Sequence, residues 1–262
     1  MHGLGVYLTR EGEEVTNAVQ WALEAGYRLV DTAAIYRNEA GVGQAVRASG
    51  LERGDVFVTT KVWNNEQGYE GTIGALNASL DRLGFDFVDL YLIHWPNVDL
   101  MNGTWRAMEH LLAEGKTRAI GVSNFEPHHL DQLMTTATLP PSVNQVELHP
   151  NLSQTAVRRA CAELGTLVQA WSPLKQGEVL VDPTITSIAA DHGVTAAQVV
   201  IRWQLQHGIA TIPKSVRQKR IIENGDVFGF VLDQSDMAAI DDLDRNDRIG
   251  PEPDVFGQRY VP

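Results

Sequence analysis

The chain has 262 residues, 44% of them hydrophobic, with 21 Lys and Arg against 33 Asp and Glu and a formal net charge of −12. That length can bury a large core and suits one α/β barrel of about 250 residues, so a single domain over 1–262 is expected. The net negative field repels nucleic acid and anionic membranes, so any anionic ligand needs a local group of basic residues.

MHGLGVYLTREGEE at the N-terminus has neither a basic leader nor an apolar signal core, and no apolar run reaches the roughly 18 residues of a membrane span. A cytoplasmic protein is expected. GVYL (5–8) reads as a first strand, and EEVTNAVQWALEAG behind it spaces its apolar residues as a helix does and ends in glycine. YRLVD (27–31) and VFVTTK (56–61) follow as strands, with GVGQAV (41–46) on a helix between them. GTIGALNASLDRLG then leads to FVDLYLIH (87–94), and TWRAMEHLLAEG to TRAIGVS (117–123). SVNQVEL (142–148), the helix TAVRRACAELG with the lone Cys161, TLVQAWS (166–172) and IATIPKS (209–215) complete the alternation. The Pro- and Gly-rich tail GPEPDVFGQRYVP (250–262) reads as irregular. Cys161 has no partner for a disulfide and no activating neighbour, so a structural role is expected.

Eight strand and helix alternations without a break in composition predict a (β/α)8 TIM barrel with short loops, its site at the C-terminal ends of the strands. A doubly wound sheet would lead to a glycine fingerprint after the first strand, and GLGVYLT lacks the third glycine. At the predicted strand ends lie Asp31 with Tyr36 just beyond it, Lys61, His94, Ser123 and Asn124, Gln145 and Glu147, Trp171 and Ser172, and Lys214 and Ser215. Each has an ordinary reading alone: Asp31 as a cap, Lys61 as a solvated charge, His94 as a satisfied core histidine. Converging in one apolar mouth, an acid, a phenol, an ammonium and an imidazole make a proton-transfer apparatus. A phenol titrates near 10, and a neighbouring ammonium is expected to bring it toward neutrality. Asp31 would hold Lys61 charged, and His94 would orient a carbonyl. The set has no nucleophile, so a cofactor must supply the attacking species, with hydride the natural candidate.

GYRLVDTAAIYRNEAGVGQAV, VFVTTKVWN, DLYLIHWP, GKTRAIGVSNF, VNQVELHP, WSPL and IPKSVRQKRIIEN run in order over nearly the whole chain. Together they resemble the aldo-keto reductases, nearest to the small prokaryotic members related to 2,5-diketo-D-gluconate reductase. The resemblance implies Asp31, Tyr36, Lys61 and His94 as a catalytic tetrad, with Tyr36 as general acid in carbonyl reduction, and NADPH or NADP+ lying across the barrel mouth. It also implies Ser123, Asn124 and Gln145 against the nicotinamide carboxamide, Trp171 stacked on that ring with Ser172 and Leu174 beside it, and Gly5, Val6 and Tyr7 near it. At the far end, Lys214, Ser215, Val216, Arg220, Glu223 and Asn224 match the residues that hold the adenosine 2′-phosphate and the base. A helix starting near Arg217 puts Arg220, Glu223 and Asn224 on one face, and an Arg fork with a Lys ammonium suits a dianionic phosphate. NADPH is therefore expected over NADH.

The chain opens almost at the first barrel strand, without the family's hairpin over the barrel floor, so the expected cost falls on stability rather than chemistry. The connections WPNVDLMNG and SPLKQGEVLVDP are short for the family, and with the brief tail they predict an open site and fast cofactor exchange. Trp63, Trp95 and Tyr36, with Phe256 from the tail, would wall a site for small carbonyls: dicarbonyls, keto-sugars and aromatic aldehydes. No metal site is read, because His94 and His149 are too few ligands for a hydrolase centre. A monomer is expected. The competing reading is a nucleotide-sensing regulatory subunit on the same fold with little turnover.

Overall fold

The structure is a computed structural model that describes residues 1–258; residues 259–262, the end of the tail expected to be irregular, lie outside the described residues. In chain order the elements are β1 (Leu4–Gly5), α1 (Glu13–Glu24), β2 (Leu29–Asp31), α2 (Glu39–Ala48), β3 (Phe57–Val62), α3 (Tyr69–Leu83), β4 (Leu90–Ile93), α4 (Met101–Ala113), β5 (Ile120–Ser123) and α5 (Pro127–Met134). There follow β6 (Val143–Glu147), α6 (Thr155–Leu164), β7 (Leu167–Trp171), α7 (Pro183–His192), α8 (Ala196–Gln206), β8 (Ala210–Thr211), α9 (Gln218–Gly225), α10 (Gln234–Asp241) and α11 (Pro253–Phe256).

Each strand pairs in parallel with the next, from β1 to β8. The ring closes between β8 and β1, where Gly3 N–H donates to the Thr211 carbonyl at 2.9 Å and Gly5 N–H to that of Pro213 at 3.2 Å. Closure needs a bare backbone at Gly5, because a Cβ there would lie 2.7 Å from the Ile212 carbonyl oxygen. The result is the (β/α)8 barrel expected from the alternation.

The helices obey signals written in the sequence. In α1 the buried residues Val15, Ala18, Val19, Ala22 and Leu23 recur at helical spacing and face the barrel. Helices α3 and α6 stop at Gly84 and Gly165, both left-handed. Helix α7 starts with Pro183 in its first turn and with the Asp182 side chain accepting from Thr184 N–H at 2.9 Å. No helix of the described residues is long and apolar enough to cross a membrane.

Three expectations need correction. The strand expected over 5–8 ends at Gly5: Thr9 N–H turns back to the Val6 carbonyl at 3.1 Å and Leu8 takes a φ of 57°, so Tyr7 and Leu8 swing out to solvent. The strand expected over 209–215 is hydrogen-bonded as one only at Ala210–Thr211, and Pro213 has no N–H with which to extend the ladder. The tail is not irregular throughout, since Pro253 opens the short helix α11. Behind it, Gly257 packs so closely on Pro96 that a Cβ would overlap the Pro96 carbonyl oxygen.

Candidate active site

Asp31 ends β2 and Lys61 lies near the end of β3, both buried in the barrel. Lys61 Nζ donates to Asp31 Oδ1 at 2.5 Å, to the Thr32 carbonyl at 2.9 Å and to the Tyr36 hydroxyl at 3.4 Å. The three N–H bonds of the ammonium thus have three acceptors, which is what lets a charge sit in a dry interior. Burial pushes the Asp31 carboxyl up and the Lys61 ammonium down, and each partner opposes the shift of the other.

Tyr36 stands in a single 3-10 turn, Ala34–Tyr36, followed by Arg37 in the left-handed region. The turn is pinned by Asn38, which no sequence motif singles out. Asn38 Nδ2 donates to the carbonyls of Val6 at 2.9 Å and Thr9 at 3.0 Å, while its Oδ1 accepts from Thr32 Oγ1 at 2.7 Å. One buried amide therefore ties the loop after β1 to the loop carrying Tyr36, and the Tyr7 and Tyr36 rings meet at 5.0 Å. Its only signal in the sequence is a short amide inside a loop, the N of YRNEA. The Tyr36 phenol is held well above its ordinary value by desolvation, then by the charges of Asp31 and Tyr7. That is the reverse of the shift expected from the ammonium alone, because the environment that positions Lys61 also removes water from the phenol.

His94 follows β4, edge-on to Tyr36 at 5.6 Å and to Trp63 at 5.0 Å. Burial, then the Lys61 charge, hold its pKa well below the usual histidine range, so the ring is neutral at pH 7. Its Nδ1 is buried without a hydrogen-bond partner among the described residues.

Beyond the tetrad the barrel continues as a polar layer. Gln145 Nε2 donates to Asp31 Oδ2 at 2.6 Å and to Gln169 Oε1 at 2.7 Å. The Gln145 carbonyl accepts from Ser123 Oγ at 2.8 Å and from Asn124 N–H at 2.9 Å. Asn124 has a φ of 64°; its Nδ2 donates to the His94 carbonyl at 2.9 Å and its Oδ1 accepts from Trp171 Nε1 at 2.8 Å. Ser123, Asn124, Gln145 and Trp171 are thus one hydrogen-bonded group beside the tetrad. Ser172 and Leu174 lie in the turn after β7, closed by Lys175 N–H to the Ser172 carbonyl at 2.9 Å. Glu147 serves the tail instead. Its carboxylate accepts from the backbone N–H of Ile249 at 2.7 Å and of Gly250 at 2.8 Å, and so holds the start of the tail on the barrel.

At the other end of the mouth the helix expected near Arg217 is α9, with Arg217 at its N-cap. Ser215 Oγ accepts from Arg217 N–H at 3.1 Å, and Val216 lies between them. Lys214 and Arg220 are exposed, and among the described residues neither has a carboxylate within ion-pair distance. Glu223 instead faces Lys219 at 3.6 Å, and Asn224 is buried. Two cations at a helix start oppose the helix dipole unless an anion joins them. Gln145 Oε1, which accepts from no described residue, at one end and the two cations without an ion-pair partner at the other fit a nicotinamide dinucleotide phosphate.

Trp63 is half-buried beside His94, whereas Trp95 is 6% exposed and packs on Phe256 at 4.7 Å. Phe256 also lies 6.2 Å from Trp63, so α11 brings the expected tail aromatic to both tryptophans. Asp254, in the same helix, lies 2.9 Å from His128 Nε2 and 3.1 Å from His129 Nε2. The grouping resembles a metal site, but His129 Nδ1 accepts from Glu126 N–H at 3.1 Å. The proton of that neutral ring therefore sits on Nε2, where a metal would need the lone pair. The three side chains act as a clasp between α5 and α11.

Comparison with known proteins agrees with this geometry. The sequence model of the Aldo/keto reductase family matches residues 5–245. Glyoxal reductase of Bacillus subtilis (strain 168) is 52% identical over 252 residues, covering 96% of this chain and 91% of the relative. A variant of Gox0644 solved in complex with NADPH superposes with a TM-score of 0.92 at 46% identity, covering 97% of this chain and 93% of the other. A structure assigned to 2,5-diketo-D-gluconic acid reductase B gives 0.92 at 38% identity, over 96% and 91%. A match that runs from β1 past α10, on a barrel whose mouth joins an aspartate, a tyrosine, a lysine and a histidine, establishes that the chain belongs to the aldo/keto reductase family.

Proposed function

We propose that the chain reduces small aldehydes and ketones to alcohols, with NADPH as the reductant and Tyr36 as the general acid. The observation that carries the reading is the buried chain from Asp31 through Lys61 to the Tyr36 hydroxyl, at 2.5 and 3.4 Å. When bound, the reduced nicotinamide supplies the hydride. Everything else falls to side chains. His94, neutral because it is buried, donates an N–H to the carbonyl oxygen and orients it. Tyr36 keeps its proton at neutral pH and delivers it to the oxygen as negative charge develops there. The tyrosinate left behind faces the Lys61 ammonium, and Asp31 keeps that ammonium in place. A phenol held protonated suits the general-acid role in carbonyl reduction.

Ser123, Asn124 and Gln145 take the carboxamide, Trp171 the nicotinamide face, and Gly5, Val6, Tyr7, Ser172 and Leu174 its surroundings. Lys214, Ser215, Val216 and Arg220 take the 2′-phosphate, with Glu223 and Asn224 toward the adenine. Trp63 and Trp95, with Phe256, wall an open site suited to dicarbonyls, keto-sugars and aromatic aldehydes. Similarity to glyoxal reductase puts glyoxal first in that series. The chain is taken to work as one domain, as a monomer, in the cytoplasm. The test is NADPH consumption with glyoxal, methylglyoxal, a keto-sugar and an aromatic aldehyde. Turnover with at least one, fastest for a dicarbonyl, is expected; tight NADPH binding without turnover across the series contradicts the reading and favours a cofactor sensor.

A further inference from the structure

Gln169 lies in the middle of β7, opposite Gln145 of β6 in the parallel register, and is 2% exposed. A polar amide at that depth requires a partner, and the partner is informative. Gln145 has two N–H bonds on Nε2: one goes to Asp31 Oδ2 at 2.6 Å and the other to Gln169 Oε1 at 2.7 Å. Both donors are consumed inside the barrel. The single acceptor of the side chain, Oε1, receives no hydrogen bond from any described residue, while its backbone carbonyl already holds Ser123 and Asn124. An ionised Asp31 accepts only, so Nε2 belongs on its side, and Gln169 secures that choice by receiving the second hydrogen.

We propose that Gln169 is a positioning residue that locks the Gln145 amide with its oxygen toward the barrel mouth, so that the site selects a cofactor ring bearing a primary carboxamide N–H₂. The inference rests on the reductase reading above. Without the Gln169 acceptor, the second N–H of Gln145 is left buried and unpaired. The amide then rotates to find a partner, and Oε1 no longer meets the carboxamide in one fixed orientation. Asp31, Lys61 and Tyr36 keep their own contacts, so binding of the ring is affected before proton transfer.

The probes are NADPH and its 3-acetylpyridine analogue, in which a methyl ketone replaces the carboxamide and no N–H₂ remains. Dissociation constants come from quenching of protein fluorescence, which needs no turnover. Wild type is expected to bind NADPH about tenfold more tightly than the analogue, the effect of roughly one hydrogen bond. Gln169→Met, similar in shape but without a strong acceptor, is expected to weaken NADPH binding by about that factor while changing analogue binding less than twofold. Gln169→Glu, which keeps an oxygen at the position, is expected to retain most of the discrimination. If Gln169→Met does not fold, Gln169→Ser replaces it, because a serine hydroxyl is too short to reach Gln145. Equal weakening of both ligands, or no change in either, overturns the proposal and leaves Gln169 as packing. Wild type that binds NADPH but does not tell the two ligands apart overturns it too, with the reductase reading intact. Failure of wild type to bind NADPH overturns both.

Discussion

The two ends of the barrel mouth solve opposite problems. At one end Asp31, Lys61, Gln145 and Gln169 form a dry, fully connected layer in which each charge and each donor of the Lys61 and Gln145 side chains has a protein partner before any ligand arrives. At the other, Lys214 and Arg220 stand in solvent beside the start of α9, with no carboxylate of the described residues within ion-pair distance. At the first end folding satisfies the charges and donors and leaves the Gln145 Oε1 acceptor open, whereas at the second the charges themselves are left for a ligand to pair. Chemistry that needs fixed geometry sits where packing fixes it, whereas affinity for a charged tail tolerates mobile side chains on a rim.

The largest contrast should come from removing one cation at each end. Lys61→Met leaves the Asp31 carboxylate buried and unpaired, and a loss of about 3–5 kcal/mol in unfolding free energy is expected from denaturant titration. Lys214→Met is expected to change that free energy by less than about 0.5 kcal/mol. Equal effects would erase the distinction between the two ends.

A smaller effect concerns affinity alone. Arg220→Ala is expected to raise the NADPH dissociation constant about 10- to 100-fold, the loss of a charge-assisted contact, and to change NADH binding less than about twofold. Added salt should weaken NADPH binding in wild type and do so less in the variant. An NADH effect as large as the NADPH effect would remove Arg220 from the 2′-phosphate.

The smallest expected effect is a slope. His94 is held neutral well below the usual range, and His2 and His129 are each lowered to about 4, with desolvation the first cause in every case. The unfolded chain takes up protons at these positions below about 6.5, while the folded chain does not until lower pH. Their contribution to stability is therefore complete above that value and declines as pH falls toward 4. The unfolding midpoint should drop between pH 7 and 5, and His94→Gln should make the drop shallower. Arg220→Ala should leave it unchanged.

The barrel is legible in the sequence because strand-helix alternation is a repeated signal, eight times over, and because glycines such as Gly84 and Gly165 mark helix ends in the chain itself. The proximity of Asp31, Lys61, Tyr36 and His94 is legible for the same reason: a parallel barrel gathers its strand ends. What escapes is whatever depends on side-chain direction. Gln169 looks like one more residue of an apolar strand, and only the register with Gln145 gives it a partner. Asn38 joins two loops 29 to 32 residues apart in sequence, a distance at which no local pattern operates. The ammonium of Lys61, taken alone, predicts a downward shift for the Tyr36 phenol, whereas burial, which sequence does not report, sets the opposite direction.

The central claim is that Tyr36 delivers the proton and that its contribution is chemical, not structural. The direct measurement is single-turnover reduction of glyoxal by Tyr36→Phe beside wild type, with NADPH binding followed by fluorescence in the same preparations. The account requires a rate lower by about 10²- to 10⁴-fold with a cofactor dissociation constant within about twofold of wild type. A Tyr36→Phe enzyme that reduces glyoxal within about threefold of the wild-type rate would contradict it.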